Sequence, residues 1–133
     1  MKTILAKTLS ASALLIAATT LLSSPVFAGD VVHTGNFQGK SDHITTGQVT
    51  IEKVANGYLV VLADDFSLDG APDPSVGFGK NGEFDTATQI GDLVSKTGEQ
   101  TYLVSDAIEI SDYNEVYIWC DKFSVPLGVA TYK

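Results

Sequence analysis

Apolar and polar residues alternate in short runs along the chain, and glycine or asparagine separates one run from the next. Residues 47–54 alternate in this way, Asn56-Gly57 follows, and residues 58–62 form a second, mostly apolar run. An Asn-Gly step between two such runs is typical of a β-hairpin, because both turn positions need a positive φ. The pattern therefore predicts a hairpin over residues 47–62.

Residues 115–120 carry the strongest strand signal, because β-branched and aromatic residues dominate the segment. Side chains alternate between the two faces of a strand. One face would hold Val116, Ile118 and Cys120, and the other Tyr117 and Trp119. Apolar residues on both faces predict a central strand that is covered on both sides.

Two weaker strand signals lie at residues 100–104 and 126–132. Pro126 cannot donate to a sheet ladder, so the last strand is predicted to begin at this residue or to lie at an edge. The glycine-rich stretch from residue 69 to residue 82 predicts a long loop or a set of tight turns. The sequence thus predicts an all-β, single-domain β-sandwich or squat barrel of roughly seven to nine short antiparallel strands.

The first 28 residues have the features of a secretory signal peptide. Two lysines precede the mostly apolar residues 8–22, and Val26 and Ala28 are small residues at the positions that a signal peptidase recognises. The apolar run is shorter than the ~20 residues that span a bilayer, which favours cleavage over a membrane anchor. We therefore expect cleavage after Ala28, a β domain over residues 29–133 with no membrane span, and export to the periplasm or the cell exterior.

The charge of the chain excludes nucleic-acid binding as an expected function. There are 16 acidic residues, 8 lysines and no arginine, for a net charge of −8. Two of the lysines precede residue 29, so the exported domain has 6 lysines against 16 acidic residues and a charge of −10. A protein that binds phosphate backbones needs a cationic face, which this composition does not supply.

Cys120 is the one cysteine of the chain, so no internal disulfide can form. In an oxidising compartment a lone cysteine is packed in the core, linked to another molecule, or active in redox chemistry. A disulfide-linked dimer through Cys120 therefore stays open beside inert packing, which is common for a free cysteine. Nucleophilic catalysis would need a histidine base, and spacing alone does not show whether His43 approaches Cys120, so the sequence does not predict an enzyme.

A blue-copper centre is the obvious metal site to test in a small exported β domain. Such a site uses a cysteine, two histidines and commonly a methionine. His33 and His43 both lie far upstream of Cys120, and the single methionine is Met1. The pattern argues against copper, the spacing does not favour zinc, and no cofactor is identified.

Four aspartates fall within ten residues and suggest two interpretations. They are Asp64, Asp65, Asp69 and Asp73. Calcium binds clusters of carboxylates in loops, but the ligand order of an EF-hand is absent. Capping of turns by aspartate side chains is the simpler interpretation.

Two segments together resemble the DM-thirteen domain family. Residues 35–51 resemble its opening, in which a glycine, an aromatic residue and a histidine lead into a Gly-x-Val-x-Ile strand. Residues 118–130 resemble its closing signature, an Ile-Trp-Cys strand followed by phenylalanine, glycine and alanine. Asp65-Phe66 and Pro72-Asp73 are similar to elements of its middle part.

This resemblance implies a β-rich extracellular or periplasmic domain that takes part in electron transfer or other redox chemistry. The family's characteristic cysteine, its suspected redox centre, corresponds to Cys120. The accompanying motif positions are His43, Asp65, Asp73, Trp119 and Phe123. The implied partner is a redox or envelope protein, and the resemblance identifies no cofactor.

A second function remains open from the residues themselves. The domain would be a non-catalytic binding module of the cell envelope for protein or glycan, with Cys120 as buried packing. Residues 64–73 and exposed aromatic residues such as Tyr58 and Phe78 would then form the contact.

Overall fold

A computed structural model describes residues 29–133, and the predicted signal peptide lies outside the described residues. These residues form one all-β domain. Its strands are β1 (Asp30–Gly39), β2 (Thr45–Thr46), β3 (Gln48–Val54), β4 (Gly57–Leu62), β5 (Ser67–Leu68), β6 (Pro74–Lys80), β7 (Glu83–Phe84), β8 (Gly91–Asp92), β9 (Gln100–Leu103), β10 (Glu115–Cys120) and β11 (Val125–Thr131). Two 3₁₀ turns complete the elements, at Thr86–Thr88 and Ile110–Asp112. Within residues 29–133, no helix has the length and apolarity needed to cross a membrane.

One antiparallel sheet organises the domain. Its strand order is β7-β6-β10-β11-β1-β3-β4-β9, and β8 pairs with β6 beside this path. The sheet curls into a half-barrel whose concave face holds the core. A two-stranded sheet of β2 and β5 forms separately. The predicted all-β, antiparallel architecture is confirmed.

The curl is set by β1, a strand for which the alternation pattern gave no signal. Its residues 30–36 pair with β3, and residues 37–39 pair with β11. A strand that changes partners along its length joins two halves of a sheet at an angle. Phe37, at this change, is buried in the core.

The predicted central strand is confirmed as β10, which lies between β6 and β11. Val116, Ile118 and Cys120 point into the core. Tyr117 and Trp119 lie on the opposite, outer face, where they contact Phe84.

The prediction of a loop over the whole glycine-rich stretch is wrong beyond residue 73, because residues 74–80 form the internal strand β6. The glycines of this strand make room for aromatic rings. A Cβ on Gly77 would lie 2.7 Å from the ring of Phe84, and one on Gly79 would lie 2.4 Å from the ring of Tyr117. Rings of neighbouring strands thus fill the space that side chains fill elsewhere, and periodicity cannot detect such a strand.

The predicted hairpin of β3 and β4 is confirmed, but its turn is one residue earlier than expected. Val54 pairs with Gly57, so Ala55 and Asn56 form the turn and Gly57, at φ +137°, begins β4. An Asn-Gly turn with two positive φ values occurs instead at residues 81 and 82, between β6 and β7.

Pro126 is neither the first residue of its strand nor at an edge. It is the second residue of β11, which lies between β10 and β1. The register with β10 shifts between Ile118 and Trp119, and Pro126 lies opposite Trp119 at this irregularity. A bulge accommodates the missing amide hydrogen inside a sheet.

Candidate functional site

Cys120 is the last residue of β10, and its side chain lies in the core. It is 1% exposed. Its neighbours across the sheet are Pro74 on β6 and Val125 on β11. The thiol is therefore at the end of the half-barrel, where a buried strand meets the connecting loops.

The loop that joins β5 to β6 contacts this thiol. We call residues 69–73, which join β5 to β6, the cover loop. The Cys120 Sγ donates a hydrogen bond to the carbonyl oxygen of Pro72, with Sγ and oxygen 3.1 Å apart. The backbone N–H of Asp121 donates to the carbonyl of Asp73 at 3.0 Å. Pro72 and Asp73 are both exposed, so the thiol contacts a loop that lies at the surface.

The sharp path of the cover loop depends on two left-handed residues. Gly70 has φ +120° and Asp73 has φ +47°. Glycine adopts this conformation freely, and aspartate is among the few other residues that tolerate it. Asp73, a motif position of the resemblance, thus contributes its backbone shape and its carbonyl to the site.

The other end of the cover loop is held by His43. The Nδ1 atom of His43 lies 2.9 Å from Oδ1 of Asp69, and Oδ2 of Asp69 accepts a hydrogen bond from the N–H of Ile44 at 3.0 Å. The bond from Ile44, followed by that from His43, lowers the pKa of Asp69 below its usual value. We call this pair the His43–Asp69 latch.

His43 and Cys120 therefore meet the same short loop at opposite ends. Within residues 29–133 no hydrogen bond or ion pair joins the two side chains directly. The local sequence gives no signal for the latch, because its two residues are 26 positions apart. The sequence indicates Asp69 only as one of the four clustered aspartates.

Trp119 follows Tyr117 on the outer face of β10, away from the thiol. Its ring stacks on that of Phe84, with centroids 4.4 Å apart and planes at 20°. It is half-buried. Trp119 thus adjoins Cys120 along the chain while its ring packs on the other side of the sheet.

Phe123 lies at the tip of the β10–β11 connection and is 62% exposed. The Nζ atom of Lys122 lies 5.6 Å from its ring centroid. An exposed aromatic side chain three residues after Cys120 is an unusual feature of a connection otherwise made of polar residues. It offers a contact surface beside the end of the barrel that holds the thiol.

Asp65 holds the first residue of β3 by a hydrogen bond to the backbone. Its Oδ1 accepts a hydrogen bond from the N–H of Gln48 at 2.9 Å. The next residue, Phe66, is buried and packs edge-on against Phe37, with centroids 5.5 Å apart. Among residues 29–133, no three His, Cys, Asp or Glu side chains converge in a way that could hold a metal ion.

The sequence profile of one protein family, described as electron transfer DM13, matches residues 36–132. The match includes every residue of the site described above. Comparison with curated proteins and with solved structures gave no match.

Proposed function

Because the chain belongs to the electron transfer DM13 family, we propose that it is an exported redox domain and that Cys120 is its redox-active residue. The observation that carries the proposal is the position of the one thiol, which is hydrogen-bonded to a surface loop that is held at both ends by hydrogen bonds. The signal-peptide features of residues 1–28 support export.

The chemistry available to a single thiol is exchange with a disulfide of a partner. The Cys120 thiolate attacks one sulfur of that disulfide, a bond forms between the two sulfurs, and the partner's S–S bond breaks. The released partner thiolate takes up the proton that Cys120 lost. In this step the Cys120 sulfur is oxidised from the thiol to the disulfide level, and the released sulfur of the partner is reduced from the disulfide to the thiol level.

Exchange needs the cover loop to open, because the thiol is 1% exposed. Exposed loops with few apolar contacts open locally at a lower free-energy cost than global unfolding. The hydrogen bonds that resist this motion include the His43–Asp69 latch and the bond from the Asp69 N–H to the Ile44 carbonyl at one end. At the other end are the bonds of Pro72 and Asp73. The latch therefore controls how often the thiol meets a partner.

The burial of Cys120 also supports a second function, a binding module of the envelope in which the cysteine is packing. The contact predicted for that module needs correction. Phe78 faces the core from β6 and is fully buried, and Tyr58 is half-buried against the core. Phe123 is the exposed aromatic side chain that such a module would use.

Weakening the latch is expected to speed the reaction of native Cys120. We predict that Asp69→Asn raises the rate of mixed-disulfide formation with glutathione disulfide about threefold. The effect is small because an ion pair at the surface contributes little to stability. Intact mass spectrometry of timed samples measures the adduct. Asp64→Asn removes the same charge from an exposed neighbour outside the latch and should leave the rate unchanged.

The pH dependence of this difference follows from the lowered pKa of Asp69. A carboxylate with a depressed folded-state pKa contributes its stabilisation above its unfolded value and loses it as the pH falls through the folded value. With a dipyridyl disulfide, which reacts with thiols in acid, the Asp69→Asn to wild-type ratio should fall towards one below pH 3.8, the ordinary aspartate value. Equal rates for both proteins at neutral pH would mean that the latch does not control Cys120.

A further inference from the structure

A cleft of about 500 Å³ lies on the outer face of the sheet, across β10, β11 and β1. This face is opposite to the one that carries Cys120. Side chains of three adjacent strands line it, with the β6–β7 turn at one end. None of the residues considered for the redox site lines this cleft.

The most unusual group in the cleft is the carboxylate of Glu115, the first residue of β10. Glu115 is only 7% exposed. Both of its oxygens accept from the N–H of Gly82, at 2.9 and 3.0 Å. In the described part of the chain the one ion pair is the His43–Asp69 latch, so no lysine or histidine lies within 4 Å of Glu115.

Burying a carboxylate without a cation costs free energy unless its lone pairs are used. The N–H of Gly82 and the hydroxyl of Tyr117 use part of the acceptor capacity of Glu115, and the remaining lone pairs can accept hydrogen bonds from a ligand. A core position is not the reason for the burial, because Glu115 is on the outer face. The arrangement fits a ligand that brings hydrogen-bond donors to this carboxylate.

The rest of the cleft offers complementary groups in register with Glu115. Thr131 lies directly opposite Glu115, and Val129 lies opposite Tyr117 on β10 and Gln38 on β1. Thr131 and Val129 follow one another along β11, which lies between the β10 residues Glu115 and Tyr117 and the β1 residue Gln38. Hydrogen-bonding groups surround a small apolar floor.

The β1 side of the cleft supplies donors. Asn36 and Gln38 lie on the outer face of β1, Lys40 follows directly after the strand, and all three are exposed. Amides donate and accept, and Lys40 donates only. A ligand that fits must therefore accept on one side and donate to Glu115 on the other.

We infer that this cleft binds a saccharide. Ring hydroxyls both donate and accept, and the C–H faces of a sugar ring match the aliphatic floor at Val129. A simple anion would be repelled by Glu115, and a simple cation would be repelled by Lys40. The inference goes beyond the redox function and does not depend on Cys120.

The test is an NMR titration of the ¹⁵N-labelled protein with tetrasaccharides of glucose and of N-acetylglucosamine at millimolar concentration. Binding is expected to shift the side-chain amides of Asn36 and Gln38. We predict that Glu115→Gln weakens binding about tenfold or more, because a hydrogen bond to a charged acceptor is lost. Glu99→Gln, which removes the same charge from an exposed residue outside the cleft, should bind like wild type.

Gln38→Ala is a second variant, at an exposed strand position where folding is not at risk, and it should also weaken binding. The inference fails if neither tetrasaccharide shifts the cleft resonances, or if the shifts lie elsewhere. It also fails if spermidine shifts them and the neutral sugars do not. A null result for Cys120 exchange would leave this titration unaffected, so the two proposals fail independently.

Discussion

Leu62→Ala is expected to lower the free energy of unfolding by about 3 kcal/mol and to leave the reaction rate of Cys120 nearly unchanged. Leu62 is fully buried on β4. In the sheet order, β11, β1 and β3 separate β4 from β10. The substitution therefore weakens the whole domain from a strand that is neither part of the cover loop nor paired with β10.

Cys120 can react through local opening or through global unfolding, and the two routes respond differently to this loss of stability. If Cys120 reacts through local opening of the cover loop, the rate depends on the loop alone. If it reacts only through global unfolding, a loss of about 3 kcal/mol raises the unfolded population, and with it the rate, by roughly 150-fold.

The measurement compares the rate of adduct formation with glutathione disulfide for wild type and Leu62→Ala under native conditions. Urea unfolding gives the change in stability independently. Rates within a factor of about two support local access to Cys120. Acceleration in proportion to the lost stability would make Cys120 a packing residue and favour the binding module.

Gly79→Ala is expected to destabilise the domain by about 3 kcal/mol or more. A Cβ at this position would lie 2.4 Å from the carbonyl oxygen of Glu83 and 2.4 Å from a ring carbon of Tyr117. Tyr117 is 2% exposed and packs against Phe84, so its ring has no free space to enter. Thermal unfolding should show a midpoint lower by roughly 10–20 °C.

Gly98→Ala is the matched control. Gly98 has φ +87°, and a Cβ there would meet nothing within 4 Å. The substitution should lower the free energy of unfolding by about 1 kcal/mol, because alanine is strained in this left-handed backbone conformation. Equal destabilisation by the two substitutions would contradict the close packing of Tyr117 over β6.

A strand could be predicted from the sequence only where its own side chains form a recognisable pattern. Residues 115–120 were predicted as a central strand because β-branched and aromatic side chains dominate them, and β10 has that place. Strand β6 was missed because Gly77 and Gly79 have no side chains to form a pattern. The space that they leave is filled by Phe84 and Tyr117, which lie elsewhere in the sequence.

The candidate site likewise has a part that the sequence identifies and a part that depends on long-range contacts. Cys120 is identified from the sequence because it is the one thiol of the chain. Its burial, the cover loop and the His43–Asp69 latch depend on contacts between segments 26 to 48 residues apart, which local patterns do not encode. The charged Glu115 at the start of an otherwise apolar strand was the available signal for the outer cleft.

The central claim, an exported domain with a redox-active Cys120, is tested most directly by the intact mass of the protein from the exported fraction. Samples are taken without reductant, with reductant, and after alkylation under native conditions. We expect the mass of residues 29–133, with an adduct on Cys120 that reductant removes or a thiol that is alkylated without denaturation. An unprocessed chain, or a free thiol that is alkylated only after denaturation, would contradict it.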